Sequence, residues 1–254
     1  MKETIKNRHG KKIICLIEKS NNQKNLVFIM HGLSGYKEQP HIQKIAEAFK
    51  ENNYTVIRFD TTNSFGESDG KYEDATVTNY YEDLEDVINW AKNQPWYQEP
   101  FVLAGHSLGS MCILLYAEKF PEKIKALAPI SSAINDNLKE KIRTDKNLKE
   151  WREKGIKESI SYSGKVKRLK WAYMIDAANY DPLEKANLLV MPILLIVGEK
   201  DTSTPLEYQL RIKNKVKGKT ELHIIKNAEH TFREKKELEE LKSIFNNWIK
   251  SLNP

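Results

Sequence analysis

A chain of 254 residues, 40% hydrophobic and 30% charged, has the composition of a folded globular protein long enough to bury one sizeable core. Its net charge of +6 comes from 41 basic and 35 acidic side chains interleaved along the chain, which argues against the concentrated basic face of a nucleic-acid binder. No run approaches the roughly 20 apolar residues of a membrane span, so no stable membrane insertion is expected.

Residues 1–12 are polar and basic and lead into a short apolar run, residues 13–17. A secretory signal would carry an apolar region of about 7–15 residues and a small-residue cleavage site. Cys15 and Cys112 both sit in apolar company and are expected as free buried thiols. These features together predict a cytoplasmic protein.

Along the chain, β-branched apolar runs alternate with helical periodicity. Residues 12–17 and 26–30 predict two early strands. A helix follows with Ile42, Ile45, Ala46 and Phe49 on one face, an i, i+3, i+4, i+7 pattern. Residues 54–59 predict a strand ending at Asp60, and a polar loop runs from 61 to 76. The next helix, residues 79–92, buries Tyr80, Leu84, Val87, Ile88 and Ala91. Residues 101–104 are a short strand, followed by a helix carrying Met111, Leu114, Leu115 and Ala117, and then by a strand at 124–130. Near the C-terminus come a strand at 193–197, a helix at 206–216, a strand at 221–225, and a helix burying Leu238, Leu241, Ile244, Phe245 and Trp248. This alternation predicts an α/β fold with a mostly parallel central sheet flanked by helices.

Residues 132–188 break the alternation. A charged helix is expected over 136–154 with Gly155 as its C-terminal cap, then a hairpin turning at Ser163-Gly164, then a helix over 169–179. We read this stretch as a cap inserted into a core made of residues 1–131 and 189–254.

The chemistry concentrates at the carboxyl ends of predicted strands, where open parallel sheets bind ligands. Gly105-His106-Ser107-Leu108-Gly109 lies between a strand and a helix. There, G-x-S-x-G forms a tight turn that exposes the serine hydroxyl, and the glycines remove side chains that would collide. Serine is a weak nucleophile and needs a base held by a third group. Asp201 follows the strand at 193–197 and His230 follows the strand at 221–225, in the chain order Ser, Asp, His. Ser107 is therefore the expected nucleophile, His230 the base and Asp201 the acid, with Glu199 as a competing acid. His9 and His41 read as surface residues, and His223 falls inside a strand. The strand at 26–30 ends in His31-Gly32-Leu33, so the backbone N–H groups of Leu33 and Leu108 are the expected oxyanion donors. His31, His106, Trp171 and Tyr173 are candidate substrate contacts, with Trp151 and Tyr162 as further aromatics of the cap.

On these motifs the chain resembles the α/β-hydrolase superfamily over nearly its whole length. Arg58-Phe59-Asp60, the run from Gly66 to Asp74, and the cap exit from Trp171 to Asp181-Pro182 resemble the bacterial cinnamoyl (feruloyl) esterase-like group. Monoacylglycerol lipases and serine aminopeptidases share the layout. The loop after Asp60 departs from that group, reading Asn63-Ser64-Phe65-Gly66 where Gly-His-Gly is usual. The resemblance implies a carboxylic ester hydrolase acting on small-molecule esters through an acyl-enzyme, with no metal or organic cofactor; the sequence does not choose between a monomer and a homodimer. An amidase or aminopeptidase would use the same residues, with Glu140, Glu150, Glu153 or Glu158 available for a substrate amine. A lipase is disfavoured by the charged cap, and a non-catalytic receptor by the complete set of Ser, Asp and His.

Overall fold

Strands buried on both faces read as near-continuous apolar runs, and those runs form the centre of the sheet. The computed structural model describes residues 1–135, 138–161, 164 and 166–252. The strands of the core are β1 (Lys2–Lys6), β2 (Lys12–Glu18), β3 (Asn25–Met30), β4 (Tyr54–Phe59), β5 (Phe101–His106) and β6 (Ile124–Ile130). After an insertion that carries the hairpin β7 (Ile156–Ile160) and β8 (Val166–Lys170), the sheet resumes with β9 (Ile193–Gly198) and β10 (Thr220–Ile225). The eight core strands lie in the order β1-β2-β4-β3-β5-β6-β9-β10. Only β1 with β2 and β2 with β4 pair antiparallel; the other five pairings are parallel.

Period-2 alternation splits the strand side chains between two cores. Val27, Ile29, Val56, Val102, Ala104 and Ile196 pack with α1 (Pro40–Glu51) and α8 (Lys235–Ser251). Phe28, Met30, Ile57, Leu103, Leu127 and Leu195 face the other way, onto α2 (Val77–Ala91) and α3 (Leu108–Lys119). Between β6 and β9 the chain also forms α4 (Leu138–Thr144), α5 (Lys146–Lys154) and α6 (Ala172–Ala177), and α7 (Leu206–Lys215) links β9 to β10. Trp151, Leu169, Trp171 and Met174 of the insertion belong to the same apolar cluster as α2 and α3.

Three local expectations need correction. Residues 2–6 form an edge strand with Ile5 as its one fully turned-in residue, too little apolar signal to read. The helix expected over 136–154 is two helices. Asp145 accepts from the N–H groups of Asn147 and Leu148 and caps the second, which a carboxylate does better than continuing a helix. His41 is buried on the inner face of α1, its ring 4.5 Å from that of His106. Of the turn expected at Ser163-Gly164, only Gly164 is described, at φ +79°, and Ser163 lies outside the described residues. Gly155 does end α5, at φ +70°.

Glu118, near the end of α3, is only 8% exposed. Burial, together with Asp181 and Glu184 nearby, pushes its carboxyl up to about 8 against the pull of the Lys185 N–H. A carboxyl raised in the folded state favours the protein fully below its unfolded value and loses that contribution as pH rises through the folded value. Glu118→Gln is therefore expected to leave the melting temperature unchanged near pH 4.5 and to raise it by several degrees at pH 8.5. Calorimetry at both pH values checks this, and equal shifts at the two would contradict it.

Candidate active site

The parallel registers align the ends of the strands: Met30 pairs with Gly105, His106 with Ile130, and Ile225 with Gly198. The loops that leave β3, β5, β9 and β10 consequently share one edge of the sheet. Ser107 stands between β5 and α3 with φ 55° and ψ −115°, a backbone conformation that an L side chain adopts only under constraint. The constraint comes from close packing. A Cβ on Gly109 would lie 2.5 Å from the His31 carbonyl oxygen, and one on Gly32 would lie 3.0 Å from Ser107 Cβ. Only glycine lets the β3 loop and the start of α3 close on the serine.

The three side chains expected to meet do so. Ser107 Oγ is 3.0 Å from His230 Nε2, and His230 Nδ1 is 2.9 Å from Asp201 Oδ2. The Asp201 side chain is fully buried, whereas that of His230 keeps 25% exposure toward solvent. Asp201 Oδ1 accepts from the N–H groups of Ser203, at 2.9 Å, and Thr204, at 2.8 Å. Burial works to raise the Asp201 carboxyl, but the His230 bond and charge and the Thr204 N–H outweigh it and hold the group below its ordinary value. The carboxylate is thus ionised and aimed at an imidazole nitrogen.

The competing acid points elsewhere: Glu199 is exposed and accepts from the Asn227 N–H at 2.8 Å, pinning the loop that leads to His230. Asp176 accepts from the Thr78 N–H, at 2.9 Å, and from its hydroxyl, at 2.5 Å, fastening α6 to the first turn of α2. Sequence reasoning overlooked Thr204. Its hydroxyl lies 2.9 Å from Asp201 Oδ2 and 3.1 Å from His230 Nδ1. Its position three residues after the acid was the available signal, because an Asp side chain commonly reaches the N–H of that residue.

Leu108 is the first residue of α3, so its N–H has no intrahelical acceptor and sits at the positive end of the helix dipole. Leu33 follows Gly32 in the loop packed on Ser107, and its N–H has no acceptor among the described residues. That loop is tied down at both ends. Lys37, 2% exposed, donates its backbone N–H to Asp60 Oδ1 at 2.7 Å, and its ammonium lies 2.8 Å from Asp60 Oδ2 and 2.5 Å from Glu67. At the other end His31 is completely buried: Nε2 accepts from the Thr61 N–H at 3.1 Å and Nδ1 donates to the Gly32 carbonyl at 2.8 Å. Burial keeps this ring neutral, in the one tautomer its partners allow.

The expected substrate contacts are accordingly revised. With both nitrogens used, His31 shapes the loop and does not face a ligand. His106 is also buried; its Nε2 donates to the His230 carbonyl at 2.8 Å, and its ring lies tilted against that of His230 with centres 4.8 Å apart. Trp171 packs edge-on against Trp151, with ring centres 5.6 Å apart, and both are core residues. Tyr173 is partly buried against the same cluster, and Tyr162 lies outside the described residues. The unusual loop places Phe65 at the surface, 40% exposed, against Tyr72 at 4.6 Å between ring centres. The four glutamates named above, all between β6 and β9, pair with their neighbours. Glu140 meets Arg143, and Glu150 lies 2.6 Å from Lys154, Glu153 3.9 Å from Lys149 and Glu158 2.7 Å from Arg168.

Comparison with known proteins agrees with this architecture. The structure of Est1E from Butyrivibrio proteoclasticus with ferulic acid bound superposes with a TM-score of 0.83 at 24% identity, covering 98% of both chains. Alpha/beta hydrolase domain-containing protein 10 from mouse superposes with a TM-score of 0.81 at 21% identity, covering all of both chains. Among curated sequences, the human mitochondrial palmitoyl-protein thioesterase ABHD10 is 26% identical over 218 residues, 84% of this chain and 69% of that one. The bovine counterpart is 25% identical over 201 residues, 77% of this chain and 63% of the relative, so the match spans about two thirds of these relatives' length. Residues 25–158, just over half of the chain, match the alpha/beta hydrolase fold family model. The chain belongs to the alpha/beta hydrolase fold family.

Proposed function

We propose that the protein is a serine hydrolase that cleaves carboxylic esters, oxygen esters and thioesters alike, through an acyl-enzyme intermediate. The observation that carries this reading is the Ser107–His230–Asp201 chain of hydrogen bonds, 3.0 and 2.9 Å long, on a strained strand–helix turn. Ser107 attacks the acyl carbonyl while His230 Nε2 takes its proton. The N–H groups of Leu33 and Leu108 receive the oxyanion, each such donor being worth about 2.7–4 kcal/mol. His230 then protonates the departing alcohol or thiol, and water activated by the same ring releases the acid. Asp201 stabilises the imidazolium throughout.

The segment between β6 and β9 serves as a cap over this edge of the sheet. The Asp176–Thr78 bonds and the pair between Lys170 and Asp74, at 2.5 Å, support its seating there. The palmitoyl-protein thioesterase names of the curated relatives favour acyl thioesters within the substrate class. An aminopeptidase would need an acceptor for the substrate's free amine, and Glu140, Glu150, Glu153 and Glu158 are occupied by neighbouring cations. Two free buried cysteines fit a reducing compartment, and we infer a cytoplasmic location. Among the described residues no helix is long and apolar enough to cross a membrane.

A p-nitrophenyl ester and the p-nitroanilide of the same acyl group test the reading directly. The ester is expected to have a kcat/KM higher by on the order of 10²-fold or more, because the anilide depends far more on proton delivery to its leaving group. Equal values, or anilide preference, would transfer the assignment to an amidase. Absence of turnover on esters, thioesters and anilides alike would favour a receptor on the same fold.

A further inference from the structure

We propose that Thr204 is a positioning residue for His230, its hydroxyl sharing the imidazole Nδ1–H with Asp201 so that two acceptors hold the base. The inference deepens the hydrolase reading and rests on it. Thr204 is 4% exposed, and its Oγ1 lies 3.1 Å from His230 Nδ1, 2.9 Å from Asp201 Oδ2 and 2.9 Å from the Ser131 carbonyl oxygen.

Proton accounting makes this contact more than proximity. Ser107 donates to His230 Nε2, so the neutral ring carries its proton on Nδ1. The Thr204 hydroxyl has one proton, which goes either to Asp201 Oδ2 or to the Ser131 carbonyl. In both orientations a lone pair remains for the Nδ1–H. Asp201 Oδ1 is already taken by two backbone N–H groups, so Oδ2 alone is available to the imidazole, and Thr204 touches both ends of that bond. Among the described residues no third acceptor reaches Nδ1.

The hydroxyl is also fixed in place. Gln209 of α7 is fully buried; its Nε2 donates to the Thr204 carbonyl at 3.3 Å and to the Ser132 carbonyl at 3.2 Å, while its Oε1 accepts from the Ser132 N–H at 3.2 Å. Thr204 is thereby clamped between the ends of β6 and β9. The charged and titratable groups around His230 include Asp201 beside it, His106 behind its ring with His41 beyond it, and Glu229 and Arg233 in its own loop, the last two within 3.1 Å of one another.

Thr204→Val removes the hydroxyl and keeps the shape; Thr204→Ser keeps the hydroxyl. Two readouts are used: turnover of a p-nitrophenyl ester, and the rate at which a fluorophosphonate labels Ser107. Thr204→Val is expected to lower kcat and the labelling rate about 10-fold with KM within about twofold, and Thr204→Ser to restore both. In an Asp201→Ala background, where Thr204 is the remaining acceptor, the same Val substitution is expected to cost on the order of 100-fold. The downfield proton resonance of the His230 Nδ1–H is expected to shift in the Val variant and to persist in the Ser variant. A loss that is no larger in the Asp201→Ala background, or that serine fails to restore, overturns the proposal, as does a resonance that the Val change leaves in place. A wild-type protein whose Ser107 does not react, but whose resonance still moves with Thr204→Val, overturns the hydrolase reading and leaves the Thr204 bond standing.

Discussion

Ser107→Ala is expected to lower kcat for ester turnover roughly a million-fold while changing KM by less than about threefold, because groups of this kind act as one unit. His230→Ala should cost about as much, and the double variant no more than either alone. The reason is geometric. Ser107 Oγ and His230 Nε2 share one hydrogen bond of 3.0 Å, so loss of either partner removes the same activated nucleophile. What remains in each variant is binding and the oxyanion donors, worth roughly 10³–10⁴-fold over water. Asp201→Asn should cost less, since Thr204 still faces Nδ1. Steady-state kinetics on one chromogenic ester check all four variants. Additive losses in the Ser107/His230 double variant would mean that the two side chains act independently and that the hydrogen bond is incidental.

Acid should unfold this protein unusually early. His31, His41 and His106 are buried and neutral, with His41 held down to about 3 by burial and by the neighbouring histidines and Arg233, and His106 well below its ordinary value for the same kind of reason. In the unfolded chain all three titrate near 6.5. A group depressed in the folded state contributes stability above its unfolded value and loses it as pH falls toward the folded value. His41, held at about 3, therefore costs on the order of 1 kcal/mol per pH unit as pH falls below 6.5, and His31 and His106 add losses of the same sign. Glu118 opposes one of these protons between 8 and 4.5, since it is protonated first in the folded state. The net effect is a fall in stability from pH 6 to 5 that steepens below 4.5. Denaturant unfolding from pH 7.5 to 4.5 measures it. His41→Phe keeps a ring where neither nitrogen has a hydrogen-bond partner among the described residues, and it should make the slope shallower by on the order of 1 kcal/mol per pH unit. An unchanged slope in that variant would show that His41 is protonated inside the fold.

The central sheet was legible because β3, β5, β6 and β9 are buried on both faces and appear as apolar runs. The edge strand β1 was not, since Ile5 alone turns fully inward. Ser107, Asp201 and His230 could be placed together because each follows a parallel strand, and register then carries them to one edge of the sheet. Depth was the quantity that sequence could not supply. His41 sits beside Ile42 and Ile45 on a buried helix face, yet a pattern that counts only apolar residues leaves it outside. His31 looked like a pocket contact because it opens the loop of the expected oxyanion donor, and Trp171 because it is an aromatic of the expected cap, but hydrogen bonding engages the first and packing buries the second. Thr204 escaped notice for the opposite reason. A hydroxyl has no periodic signature, and its value depends on three oxygen and nitrogen partners drawn from separate loops.

Intact-protein mass spectrometry after incubation with a fluorophosphonate, with peptide mapping of the adduct, asks whether Ser107 is the activated nucleophile. One adduct per chain is expected, on Ser107, formed by the wild type and absent from both Ser107→Ala and His230→Ala. A wild-type protein that stays unmodified, or an adduct mapped to any other residue, would contradict it.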